Sequence, residues 1–332
     1  MRQRPDGAGP DDSSPAQKST LGSRRADFDA RAQAARHDIE NQLRAGKARL
    51  DSRNEKLTAR TGRNLPAAIA VGVLLGAAVL LSLIFVKAFF MIVAAALIGS
   101  LCFELASALR FAGRDVPRLP SVLAGVAVVP AAFYGGAGGH WAALVGGIVV
   151  VSLWRLVELA RPSHRGGASS LGRDLGAGAF VQIYCSFLGS FMVLMAARPD
   201  GQWWTLSALI VVIAVDTGAY ATGLNFGKHP MAPRISPKKT WEGFAGSVAA
   251  SLVAAVLLSI FLLDEPWWFG LVFGGVIIVT ATIGDLSESL IKRDLGIKDI
   301  STWLPGHGGF LDRLDSTLPS AAAAYGLYLL FA

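Results

Sequence analysis

Hydrophobic and polar residues fall along this chain in long blocks, without the close interleaving of a soluble fold. From Leu65 to the C-terminus, apolar runs of roughly 20 residues recur, the length that crosses a bilayer core as an α-helix. The pattern predicts nine spans, at 65–85, 88–108, 119–136, 139–159, 175–196, 203–222, 242–263, 267–288 and 314–332. The short alternating segments of a β-barrel are missing from this pattern. The predicted fold class is therefore an all-α polytopic integral membrane protein. No internal repeat is evident, so the inverted-repeat plan of many transporters has no support.

Composition agrees: 52% of the 332 residues are hydrophobic and 17% charged, against about 25% charged in soluble domains. The stretch 1–64 breaks the pattern. Residues 1–27, rich in Ser, Gly, Pro, Asp and Arg, read as a disordered tail. Residues 28–64 read as a polar, basic cytoplasmic helix without the strong apolar face of an interfacial anchor. Because the first apolar block begins only at Leu65, no cleavable signal peptide is expected. The remainder divides into N-terminal transmembrane helices (65–200) and a second transmembrane region (201–332) that holds the charged loops.

The net charge is +7, and its placement sets the orientation. With nine spans, 29 of the 31 Lys and Arg fall on the side of the N-terminus and only Lys87 and Arg198 on the other. The positive-inside rule then places the N-terminus in the cytoplasm and the C-terminus outside. Cys102 and Cys185 both sit in apolar blocks and offer neither a disulfide framework nor metal-ligand spacing.

The chemistry concentrates in one stretch. Ser289 to Asp315 holds four acids, four Lys or Arg, a histidine and a Gly-Gly pair between two apolar segments. Charge bordering a membrane is costly and points to function. At the end of the eighth span, Asp285, Glu288, Ser289 and Lys292 fall on one helical face. An ionised Asp285 near the bilayer costs roughly 2.5–3.5 kcal/mol unless a partner offsets it. Lys292, a metal ion or a substrate cation would each serve; a purely structural ion pair is the bland alternative. Further on, Pro305-Gly306-His307-Gly308-Gly309 allows a ligand close to the backbone and can present N–H groups to phosphate. Asp312 and Asp315 follow. Helix capping explains one of them; together, facing Asp285, they offer the hard oxygen ligands that Mg²⁺ takes. Ser289 adds a hydroxyl. His307 reads equally as a metal ligand, an acid/base or a loop hydrogen-bonder.

Two more places carry charge. Ser236-Pro237 suits the N-cap and first turn of the seventh span, and Lys238 and Lys239 there would make an anion site. A positive-inside cluster is the plain alternative. Asp216 sits near the cytoplasmic end of the sixth span, with Gly223, Gly227 and Lys228 beyond it. Glu104 and Glu158 read as structural acids, Glu158 between Arg155 and Arg161 and Glu104 with only Arg110 nearby. His140 and His229 read as lone loop histidines.

The run Ser289, Lys292-Arg293, Lys298-Asp299, Ser301, Leu304-Pro305, His307-Gly308-Gly309-Phe310, Asp312-Arg313 and Asp315 resembles the complete signature of the phosphatidate cytidylyltransferase (CDP-diacylglycerol synthase) family. Asp216, Ala219-Tyr220, Gly223, Phe226-Gly227-Lys228, Ile235 to Thr240, Glu242-Gly243 and Gly284-Asp285 are similar to its upstream motifs. The resemblance covers roughly residues 60–332. It implies a multi-pass membrane enzyme, active at the cytoplasmic face and working as a homodimer, and the composition, rich in Ala, Gly and Arg, points to a bacterium and hence its inner membrane. The substrates would be CTP and phosphatidic acid, with the lipid bilayer as the other partner and no nucleic acid. It also implies dependence on Mg²⁺, with a second cation such as K⁺, held by Asp285 and Asp312 with Asp315 alongside. In this reading Asp285, Ser289, Lys292, His307 and Asp312 are the catalytic set. Ser236, Lys238, Lys239, Arg293, Lys298, Gly308, Gly309, Arg313 and Asp216 bind substrate. Lys238, Lys239 and Lys292 would hold the departing pyrophosphate, and Arg293 or Arg313 the lipid phosphate. Two rival readings are a relative acting on isoprenoid lipids and an ion-coupled transporter using Asp216, Asp285 and Glu158 as a relay. A transporter site belongs near the bilayer midplane, whereas these charges gather at one surface.

Overall fold

The apolar blocks each fold as helix. The computed structural model describes residues 65–160, 170–301, 303 and 308–332. The predicted tail and basic helix of residues 1–64, together with Arg161, Arg165 and His307, lie outside the described residues. The chain runs through α1 (Leu65–Phe85), α2 (Lys87–Phe111), α3 (Arg118–Leu159) and α4 (Leu171–Val181). One π-helical turn (Gln182–Phe187) joins α4 to α5 (Leu188–Ala196), and α6 (Gly201–Phe226) follows. A two-stranded antiparallel hairpin, β1 (Pro230–Ala232) and β2 (Ser236–Thr240), precedes α7 (Trp241–Phe261) and α8 (Trp267–Asp294). A short turn of helix, α9 (Leu311–Leu314), leads into α10 (Thr317–Phe331).

Six helical segments among the described residues are long and apolar enough to cross a membrane: α2, α3, the continuous α4–α5 run, α6, α7 and α8. One of them, α3, does more than its 42 residues suggest. Gly136 takes a φ of 58°, a conformation only glycine adopts cheaply. Beyond it the chain folds back on itself, so that a Cβ on Gly139 would strike the Ala131 carbonyl and one on Gly147 would lie 3.3 Å from the Ala124 side chain. The run is a helical hairpin, and its two arms coincide with the predicted segments 119–136 and 139–159. The last predicted span, 314–332, is shorter as a helix: two turn residues, Asp315 and Ser316, separate α9 from the 15 residues of α10.

Packing follows small residues. The hydrophobic effect is weak between helices in lipid, so close backbone approach carries the association. α6 and α7 lie against each other where Gly218 meets the Gly246 carbonyl and Thr222 covers Gly246. α7 packs on α8, α2 on α3, and α10 against α8, α5 and α6. A polar ladder runs through the π turn. Gln182 donates to the Ser121 carbonyl at 3.1 Å, Ser186 donates to Gln182 at 2.9 Å, and Cys102 lies 3.2 Å from the Ser186 hydroxyl.

The two ends of the bundle differ. At one end Lys87 donates to the Arg198 carbonyl, Tyr328 to the Pro199 carbonyl, and Trp204, Phe269, Phe273 and Tyr328 pack as an aromatic cluster. At the other end lie the ion pairs and the β-hairpin. Glu158 is not paired with Arg155 there: its Oε1 accepts from Trp154 Nε1 at 2.9 Å. Arg155 is instead fully buried against Asp174 at 2.8 Å and Asp115 at 3.6 Å, because α4 brings an acid to it that local spacing cannot reveal. His140, expected in a loop, is buried at 2.7 Å from Ser190 and stacked on Phe187.

Candidate active site

The apolar run of α8 carries Asp285 to the charged end of the bundle and turns Glu288 inward, where it is 1% exposed. A side chain on Gly284 would collide with the Asp315 carbonyl, so its absence lets α8 and the α9–α10 junction close on each other. Asp216 on α6 completes the wall, its Oδ1 accepting from the Ser316 hydroxyl at 3.3 Å. Asp216, Asp285 and Asp315 converge enough for their charges to act on one another, with Lys239 a cation acting on both Asp216 and Asp315 and Arg313 a second one acting on Asp216.

Lys239, not Lys292, is the ion-pair partner of Asp285. Lys292 turns the other way. Its ammonium lies 2.5 Å from Glu288 Oε2 and 3.0 Å from Asp312 Oδ1. Helical spacing allowed Lys292 to serve Asp285, but Asp312, arriving from α9, offers a closer carboxylate. Asp312 also accepts the Gly309 N–H at 2.7 Å. Burial pushes the Asp312 carboxyl up; contact with Glu288, the Gly309 N–H and Lys292 outweighs it and holds the group below its usual range.

The lysine pair rides on a strand. Ser236 to Thr240 form β2, so Ser236-Pro237 is not the start of the seventh span. Thr240 is the N-cap, its hydroxyl accepting from Gly243 N at 3.1 Å. Pairing with β1 explains the difference, since the strand holds these residues extended to the edge of the helix. Lys238 is exposed and Lys239 reaches inward. Arg293 donates its Nε to the Ile235 carbonyl at 3.1 Å, tying this hairpin to the end of α8. Glu242 braces its other side through the Lys228 and His229 N–H groups and the His229 ring, so His229 is not alone. Ser289 is half-buried on α8; Lys298 and Arg313 are exposed. Gly308 has a φ of 83°.

Three residues matter here to which the sequence reading gave no part in the site. Glu288 is the buried partner of Lys292, as the i, i+4 spacing permits. Glu104, read as a structural acid, reaches from α2 to Ser301, Phe310 and Leu311. Tyr184, in the π turn, buries a hydroxyl that has no hydrogen-bond partner among the described residues, within electrostatic reach of Asp315, Glu288 and Asp285. Nothing in the local sequence signals that approach.

Among the described residues, no three His, Cys, Asp or Glu side chains gather tightly enough to ligate one ion. Of the expected trio of Asp285, Asp312 and Asp315, Asp312 has its two oxygens engaged by Lys292 and Gly309. The donor chemistry nevertheless fits a hard divalent cation: Asp216, Asp285 and Asp315 supply carboxylate oxygens in excess over Lys239.

Carboxylates and lysines gathered at one end of a bundle of long apolar helices fit a class: an integral membrane enzyme that handles anionic groups. Residues 66–331 match the model of the cytidylyltransferase family, and the chain belongs to that family. It is similar to the phosphatidate cytidylyltransferase of Mycobacterium tuberculosis, with 41% identity over 274 residues, 81% of this chain and 83% of the relative. The Mycobacterium leprae enzyme of the same name is 38% identical over 283 residues, 83% of this chain and 91% of the relative. The Staphylococcus saprophyticus enzyme is 41% identical over 140 residues, 42% of this chain and 54% of the relative.

Proposed function

We propose that this chain transfers the cytidylyl group of CTP to phosphatidic acid, giving CDP-diacylglycerol and pyrophosphate. The observation that carries the reading is the family match over 66–331, whose acidic and basic motif residues meet at one end of the bundle. A phosphate oxygen of the lipid attacks the α-phosphorus of CTP. The bond from that phosphorus to the oxygen bridging to the β-phosphate breaks, and pyrophosphate leaves with the bond's electrons. A phosphate dianion is already a nucleophile, so the protein's work is positioning and charge neutralisation.

Lys238, Lys239 and Lys292 are the groups to hold the pyrophosphate, and Arg313 with Arg293 the lipid phosphate. Ser236, Ser289, Lys298, Gly308 and Gly309 line the approach. For Lys239 to serve a phosphate it must leave Asp285, and for Lys292 it must loosen from Asp312. Asp285, with Asp312 and Asp315, would hold Mg²⁺ and a second cation such as K⁺. Bound there, the cations supply charge neutralisation at the α-phosphate and the attacking oxygen.

The site's place at the helix ends leaves the diacyl chains in the bilayer. In this reading both α3 arms, α1 and α10 count toward nine spans, and the N-terminus and the site face the cytoplasm at a bacterial inner membrane. The skewed Lys and Arg distribution supports this. A homodimer is the expected assembly, to be tested by cross-linking in membranes.

The test is pyrophosphate release by purified protein in detergent with CTP and phosphatidic acid. Release is expected to require the lipid, to stop with chelator and return with Mg²⁺, and to vanish in a folded Asp285→Asn variant. Folded protein inactive with phosphatidic acid but active with an isoprenoid phosphate would overturn the substrate.

A further inference from the structure

We infer that Glu104 is the positioning residue of this site: one carboxylate from α2 holds the loop between α8 and α9 at Ser301 and at its C-terminal end, and through it sets Asp312 against Lys292. The inference rests on the cytidylyl-transfer reading.

Glu104 is 1% exposed. Its Oε1 accepts from the Ser301 hydroxyl at 2.5 Å and from Phe310 N–H at 3.0 Å, and its Oε2 accepts from Leu311 N–H at 2.9 Å. The middle and the end of the loop thus converge on the same group. Hydrogen bonds to an ionised acceptor are short and strong, and three of them fix a carboxylate in both distance and plane. Among the described residues no Lys, Arg or His is ion-paired with Glu104. A buried charge is costly, and an apolar side chain would fill this position at less expense if packing were the only need. The loop's donors are what Glu104 serves.

The contact leads directly into the chemistry. A Cβ on Gly309 would lie 2.7 Å from Glu104 Oε2 and 2.9 Å from Ser301 Oγ, so the close approach of Glu104 requires glycine there. The N–H of that glycine donates to Asp312 Oδ2, and Asp312 Oδ1 meets Lys292. A shift of Phe310 and Leu311 therefore displaces Asp312. The neighbouring residue reinforces the grip: Phe103 stacks on Trp303 with ring centres 5.0 Å apart, and Arg118 sits 5.8 Å over the Phe103 ring. The N-terminal helices thereby align a catalytic loop that lies far beyond them in the sequence.

The experiment compares wild type with Glu104→Gln, Ser301→Ala and Gly309→Ala, using full-length protein in detergent. It measures kcat and KM for CTP and phosphatidic acid, thermal unfolding, and amide hydrogen exchange of the peptide covering 303–315. Gln keeps the length but sets an NH₂ against a backbone N–H. We expect its kcat per folded protein to fall roughly 10–100-fold, the size of effect a misplacement near 1 Å produces. Both KM values should stay within about threefold, and exchange should quicken in that peptide but not in α6 or α7. Gly309→Ala, pushing from the other side, should show the same signature; Ser301→Ala, losing one donor of three, a smaller one. A folded Gln variant with wild-type kcat and exchange would overturn the inference. If the Gln variant does not fold, wild-type kcat and exchange in both folded loop variants would overturn it equally. A wild-type protein that makes no CDP-diacylglycerol would sink the functional reading instead. The exchange data would then still decide whether Glu104 holds the loop.

Discussion

Asp285 and Asp312 lie at the same end of the molecule, yet each meets its own lysine: Lys239 from the β-hairpin and Lys292 from α8. Neither pair follows from position in the chain alone. Helical spacing correctly placed Glu288 beside Lys292 but could not choose among partners from other elements. Tyr184 is the extreme case, because its neighbours in the site all come from the far C-terminal part of the chain. An unpaired buried hydroxyl costs about 1–3 kcal/mol. Tyr184→Phe keeps the ring and is expected to leave thermal stability unchanged or raise it. A fall of several degrees in the unfolding temperature would show that the hydroxyl has a structural partner.

At the scale of elements, apolar blocks translated directly into helices, because each block in lipid must satisfy its own backbone hydrogen bonds. The β-hairpin did not. Ser236-Pro237 reads as the N-cap and first turn of a helix, and only pairing with Pro230–Ala232 makes Ser236 to Thr240 a strand. The charged ends of α2, α3 and α4 are joined by Arg155, buried between Asp174 and Asp115. Removing one partner of a buried pair leaves the other charge uncompensated, at about 3–5 kcal/mol. Asp174→Ala is therefore expected to lower thermal stability sharply, while the exposed Lys298→Ala leaves it near wild type. Equal unfolding temperatures would show that water reaches Arg155.

At the scale of the whole molecule, alternation of the helices puts Glu104, Lys239, Asp285 and Asp312 at one end and Lys87, Arg198 and Tyr328 at the other. The proposed topology then makes a direct prediction. A cysteine replacing Lys298 should react with a membrane-impermeant maleimide in inside-out vesicles only, and one replacing Arg198 in right-side-out vesicles only. Cys102 and Cys185 are buried and should give little background. The opposite labelling pattern would invert the topology.

What the sequence by itself determined was the membrane class, the segments that become helices and the charged stretch where chemistry lies. These depend on local quantities: apolar length, side-chain type and the cost of charge near lipid. Tertiary structure alone decided which carboxylate faces which cation, that the run from Arg118 to Leu159 doubles back, and that Glu104 serves a loop so distant along the chain. Those are choices among partners of similar chemistry. They are settled by how closely one segment approaches another, as at Gly139, Gly284 and Gly309, and no local pattern contains that distance.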